Sequence, residues 1–105
     1  MEPSVAILQL IRYNFDMTNH EIEKNHKHVT CSPNLLMPSE RQYFTKALIS
    51  YIGENTRSGH YTVTLNDANS GENILLDDSR VTYLPRNTIG SSSNSSYIFV
   101  YEANN

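Results

Sequence analysis

Three groups of residues carry side chains fit for acid–base or covalent chemistry. They are His60, behind Gly59 in SGHYTVTLND (58–67); the carboxylate pair Asp77-Asp78; and Cys31 with the nearby His26-x-His28. A histidine acting as general base toward a thiol or hydroxyl needs a carboxylate or amide on its other ring nitrogen to fix tautomer and orientation. A hairpin supplies one here. HYTVTL and NILL flank the turn NDANSGE, so His60 begins one strand, Asp77 ends the next, and both reach the same edge of the sheet. By spacing alone, a surface histidine beside an unrelated aspartate is the commoner arrangement, and that reading stays open.

Cys31 is the single cysteine, which excludes an internal disulfide and a zinc cluster of several cysteines. The order Cys31, His60, Asp77 imitates a cysteine-protease triad. A nucleophilic thiol, however, needs its pKa lowered by a helix N-terminus or an imidazolium, and VTCSPNLL sets Cys31 between strand-like residues and a proline. A buried, inert thiol is the plainer expectation. His26-x-His28 with Cys31 offers three zinc-capable donors but no fourth ligand in a polar segment, so a solvated histidine cluster is expected, with no metal and no other cofactor.

The elements that must position these groups belong to one small domain or a piece of one, at 105 residues. Net charge is −3 and the Lys and Arg residues are scattered, so neither nucleic acid nor a membrane surface is an expected partner. No apolar run is long enough to span a bilayer and no basic segment precedes the first one, so an intracellular chain, cytoplasmic or nuclear, is expected. On that expectation the acceptor motif Asn94-Ser95-Ser96 counts as chance. VAILQLIRY (5–13) reads as a strand buried on both sides, 14–28 as a polar excursion, and HVTCSPNLLMP as a short strand-like piece closed by prolines. Residues 40–52 conflict: Ser39-x-x-Gln42 is a capping box before Tyr43, Phe44, Ala47, Leu48 and Tyr51 at helical spacing, yet β-formers also recur there with a period of two. GENTRSG (53–59) reads as a mobile polar loop. In the strand after it, Tyr61, Val63 and Leu65 face one way, and His60, Thr62, Thr64 and Asn66 form the polar face. ILLDDSRVTYL (74–84) reads as a further apolar strand with two carboxylates, 85–95 as a flexible loop rich in Ser and Asn, and SYIFVYE (96–102) as a closing buried strand.

The wording around His60 adds to its spacing. Gly59-His60-Tyr61, then Asp77-Asp78-Ser79-x-Val81, then Ser96-Tyr97-Ile98-Phe99-Val100-Tyr101, preceded by Leu8-x-Leu10-x-Arg12-Tyr13, resembles the C-terminal half of the ubiquitin-specific proteases over Val5 to Tyr101. The resemblance implies an α+β, strongly β-rich fold: the antiparallel palm sheet of a papain-like cysteine protease, incomplete, with the helical thumb half missing. Strands at 5–13, 43–52, 60–66, 73–77 and 96–101 would build the palm, which outweighs the helical pattern at 40–52 and makes strand the expectation there. It further implies that His60 is the catalytic base, that Asp77 orients it, and that Asp78 is the second acid that shares or assumes this support. Ser58, Gly59 and Tyr61 would bind substrate beside the 53–59 loop that shapes the channel for the ubiquitin tail, and the partner would be ubiquitin or a ubiquitinated protein, in an oligomeric state the sequence leaves open.

Departures accompany the likeness. The family usually has Lys-Arg-Phe at Ile11-Arg12-Tyr13, a histidine near Tyr51 and a tryptophan near Asn73, and no Gly-Asn-x-Cys box occurs in these residues. The expectation is therefore a fragment of a cysteine-type deubiquitinase, with base and orienting acid present and nucleophile absent, inactive by itself. The alternatives are a catalytically inactive ubiquitin-binding module, and a small β-rich domain whose motifs are coincidental.

Overall fold

The computed structural model describes residues 4–18, 21–32, 34–36, 41–53, 58–67, 70–86, 88–90 and 92–103. The capping-box Ser39 and residues 54–57 of the loop before His60 lie outside them. In chain order the strands are β1 (Val5–Gln9), β2 (Tyr13–Asp16), β3 (Glu21–Lys24), β4 (Val29–Thr30), β5 (Asn34–Leu36), β6 (Gln42–Ile52), β7 (His60–Asn66), β8 (Asn73–Asp77), β9 (Arg80–Leu84), β10 (Ser92–Ser93) and β11 (Ser96–Ala103). A 3₁₀ turn, Thr88–Gly90, precedes β10. Among the described residues there is no α-helix, and the fold is the strongly β-rich antiparallel one expected. No helix is long and apolar enough to cross a membrane.

The main sheet has seven strands in the order β1-β11-β6-β7-β8-β9, with β5 pairing the first residues of β6. Two two-stranded ribbons, β2-β3 and β4-β10, flank it. Its centre is β6, eleven residues long. The helix-like repeat of 43, 44, 47 and 48 has a structural cause. Opposite Val100 and Tyr101 the partners on β6 are Ala47 and Thr45, so Lys46 is an extra residue and the alternation resets there. Tyr43 and Thr45 before the bulge and Leu48 after it then share the packed side, at 0%, 3% and 6% exposure, and a period-two strand acquires an apparent period near four. A second bulge falls at Tyr97, skipped between the pairs Ser96–Ser50 and Ile98–Ile49.

The core lies on one face of the sheet, where Ala6, Tyr43, Leu48, Phe99, Tyr101 and Ala103 pack with Cys31 and Ile89 of the covering segments. Three expectations need correction. The first strand ends at Gln9 and is a sheet edge among the described residues; of its side chains only Ala6 is buried, and Ile7 is 64% exposed on the opposite face. Residues 74–84 form two strands: Asp77 pairs with Arg80 across a two-residue turn, with Asp78 in the left-handed region at φ 53°. The supposed polar face of β7 is its packed one. Thr62 and Thr64 are both 8% exposed while Tyr61 is largely exposed, because Thr64 lies beside Leu48 in the core row and the 3₁₀ turn sits over the strand. Residues 85–95 carry that turn, with Ile89 buried, and the short strand β10.

Buried polar side chains tie these layers. Asn73, fully buried, accepts the Ile89 N–H at 2.7 Å and donates to Asn66 Oδ1 at 3.0 Å, and Asn66 donates in turn to the Thr45 carbonyl at 3.0 Å. Arg12, 3% exposed, sends its guanidinium to Ser96, Ser93, Asn25 and Lys27.

Candidate active site

His60 opens β7 opposite Ile52 of β6. On the other side, β7 and β8 pair Val63 with Leu76 and Thr64 with Leu75, a register that continues to Thr62 opposite Asp77. His60 stands two residues beyond Thr62, so it shares a face with Asp77 and meets it diagonally, within reach of long side chains. The contact forms between His60 Nε2 and Asp77 Oδ1. A carboxylate accepts, so Nε2 carries the proton, and in the neutral ring Nδ1 is left with the free lone pair.

The hydrogen bond to Asp77, and then the charge of Asp77, hold the His60 pKa above its usual value against a small opposing effect of burial, and the Asp78 charge adds to the rise. Both partners stay accessible, with side chains 41% and 36% exposed. Asp78 follows at the tip of the turn, its strained backbone bringing its carboxylate near the pair: ligand atoms of His60, Asp77 and Asp78 lie within 4.8 Å of one another. Among the described residues this is the one cluster of three metal-capable donors, and His26, His28 and Cys31 do not come together.

Of the residues assigned to substrate binding, Ser58 and Gly59 are exposed just before His60, while Tyr61, 57% exposed, lies on the opposite sheet face from the imidazole. Cys31 is 1% exposed, its sulfur 3.8 Å from Thr45 Oγ1 and 3.9 Å from Tyr101 Oη. Thr45 lies seven residues along β6 from Ile52, the partner of His60. At ~3.3 Å per residue that separates the thiol from the imidazole by roughly 20 Å. Burial and the proximity of Cys31 push the Tyr101 phenol up to about 12. The thiol is a core group, as expected.

The sequence reading missed the aromatic support behind the site. Tyr51, 6% exposed, packs on Tyr61 at 4.5 Å between ring centroids, on Tyr13 edge-on at 5.9 Å, and on Tyr97 at 6.2 Å. Seven tyrosines and no tryptophan in 105 residues were the available signal, but their meeting depends on the bulge at Tyr97 and the exit of the chain at Tyr13.

A model of the ubiquitin carboxyl-terminal hydrolase family matches residues 1–101. Among solved structures, the SAGA Ubp8/Sgf11/Sus1/Sgf73 DUB module aligns with a TM-score of 0.82 at 21% identity, covering 98% of this chain and 24% of that one. The module bound to ubiquitin aldehyde aligns with a TM-score of 0.84 at 19% identity, over 98% of this chain and 25% of that one. A yeast SAGA DUBm with altered Sgf73 gives 0.82 at 21% identity, over 98% and 24%. This chain thus spans about a quarter of the length of the solved chains it matches, and at that identity the likeness establishes the fold. No curated protein matches the sequence.

Proposed function

The chain belongs to the ubiquitin carboxyl-terminal hydrolase family, and we propose that His60 and Asp77 are the base and orienting acid of a thiol protease site acting on ubiquitin conjugates. The observation that carries this is the bond from His60 Nε2 to Asp77, which fixes the imidazole and leaves Nδ1 to face a nucleophile. Cys31 is not that nucleophile, being buried at the far end of β6. The thiol comes from outside these 105 residues. Nδ1 takes its proton, the thiolate attacks the carbonyl of the terminal residue of ubiquitin, and the protonated imidazole returns the proton to the departing amine. Water, deprotonated by the same nitrogen, then splits the thioester, releasing the ubiquitin carboxylate and the thiol. Asp77 stabilises the imidazolium formed in between; Asp78 supports the same charge from the turn. Gly59 and Ser58, exposed just before His60, border the path of the extended tail. The similar structures bound to monoubiquitin and to ubiquitin aldehyde support ubiquitin as the ligand.

A second reading, a ubiquitin-binding module without catalysis, is favoured by the burial of the chain's one cysteine. One experiment separates them. The native product is sequenced at the 5′ end of its transcript, and the protein it encodes is assayed for hydrolysis of a fluorogenic ubiquitin amide. An upstream cysteine box with hydrolysis that His60→Ala abolishes upholds the protease; a native start at Met1, no hydrolysis, and saturable ubiquitin binding uphold the module.

A further inference from the structure

His60 faces Asp77, but what sets its position lies on the other side of the sheet. The residue before it, Gly59, rests on the Tyr51 ring: a Cβ built there would strike Cζ and Oη and come 2.7 Å from Cε1. Gly53, just past β6, is equally confined, since a Cβ there would lie 2.7 Å from the Ser58 carbonyl oxygen and 3.2 Å from Tyr51 Cε2. The two glycines therefore touch each other and one ring. That ring is itself held. The Tyr51 N–H donates to the Ser95 carbonyl at 2.9 Å, and Tyr13, Tyr61 and Tyr97 surround the side chain. Tyr13 also donates its hydroxyl to the Gly53 carbonyl at 2.9 Å.

We propose that Tyr51 is a positioning residue for His60: its ring, wedged against Gly53 and Gly59, fixes where the chain leaves β6 and begins β7, and so holds the imidazole within reach of Asp77. The assignment rests on the base role given to His60 above. Tyr51 pairs with Tyr61 and projects from the face opposite His60, so its influence passes through the backbone at Gly59 and not through contact with the imidazole. A methyl forced against the ring at Gly59 must displace one or the other, and removing the ring takes away the surface on which the start of β7 rests.

The test is the titration of His60 in the 105-residue chain, followed by the ¹⁵N shifts of its two ring nitrogens. Asp77 and Asp78 are the charged groups acting on His60, and Asp77→Asn sets the reference for a broken pair. Tyr51→Phe, which keeps the ring but not the hydroxyl, should titrate closer to the parent chain than Tyr51→Leu does. Tyr51→Leu and, independently, Gly59→Ala should each move the midpoint at least half of the way to that of Asp77→Asn, with a loss of the Nε2-protonated tautomer preference. If Asp77→Asn shifts the midpoint and both other variants leave it in place, the assignment of Tyr51 falls while the pair stands. If Asp77→Asn leaves it in place, the pair and Tyr51 fall together. Global loss of amide dispersion in both Tyr51→Leu and Gly59→Ala would also overturn the proposal, by making the ring a general core group.

Discussion

Removing Arg12 should unfold more of this protein than removing any one apolar side chain of its flanking segments. The guanidinium uses Nε on the Ser96 carbonyl, Nη1 on the Asn25 and Lys27 carbonyls at 3.0 and 2.7 Å, and Nη2 on the Ser93 carbonyl at 3.1 Å and Ser96 Oγ at 2.9 Å. In Arg12→Ala the Asn25 and Lys27 carbonyls, in exposed residues, regain water at little cost. The Ser96 carbonyl does not, since Ser96 is 1% exposed, whereas its hydroxyl retains the Ser93 carbonyl at 3.3 Å. One buried acceptor left unpaired and two weakened contacts, at ~1–3 kcal/mol for the first and ~1 kcal/mol for each of the others, give about 4 kcal/mol. Burial also lowers the pKa of the guanidinium, because desolvation disfavours its charged form. A loss of about 4 kcal/mol corresponds to about 18 °C in Tm for a chain of this size. Arg12→Lys, one ammonium for a five-donor fork, should recover about half of it. Urea unfolding followed by circular dichroism measures both variants. A loss below about 1 kcal/mol for Arg12→Ala with an unchanged m-value would refute the network as a source of stability.

Three further outcomes are expected. The His60 pKa is raised in the folded chain, so the stabilisation from its pair with Asp77 is fully present below the unfolded value near pH 6.5 and is lost as pH rises through the folded pKa. The parent chain should thus exceed Asp77→Asn in urea midpoint at about pH 5.5 and converge on it at about pH 8.5; a gap that is the same at both pH values would contradict the ion pair. Gly71, at φ +76°, has among the described residues only the Arg86 side chain near its open side, at 3.8 Å or more, so Gly71→Ala should cost about 1 kcal/mol from backbone strain, read by the same unfolding curves. Cys31 should resist alkylation in the folded chain and react on unfolding, and in any catalytically active longer product Cys31→Ala should leave turnover of a ubiquitin amide unchanged; fast labelling of the native thiol would contradict its burial.

How much of this was legible depends on sequence distance. His60 and Asp77 are 17 positions apart on neighbouring strands of one hairpin, so the alternation of side chains and the length of the turn are enough to bring them to one edge. The β-rich class was legible for the same reason, since most of the sheet is built of antiparallel neighbours whose residues each alternate. Where alternation is interrupted, reading fails in a physically specific way. The bulge at Lys46 made a strand imitate a helix, and the left-handed Asp78 hid a turn inside what reads as one run, because an aspartate, unlike a glycine, does not announce a positive φ. Burial of threonines at 62 and 64 was misjudged because hydropathy describes a side chain and burial is decided by what covers it, here a 3₁₀ turn more than twenty residues away in sequence.

The support of the site belongs to this last class. Arg12 reaches Ser96 across 84 positions, and beside Tyr61, its partner across β6 and β7, Tyr51 meets two further rings brought by the start of β2 and the bulge at Tyr97. No local pattern encodes such a meeting. The residues proposed for proton transfer can therefore be read from a short hairpin, while those proposed to keep them aligned depend on contacts between the two ends of the chain. This division predicts which substitutions act where. A change in the hairpin at Asp77 should alter the titration of the His60 imidazole at little cost in stability, since both side chains are more than a third exposed. Changes at Arg12 should do the reverse, lowering stability while the imidazole of the molecules still folded keeps its titration.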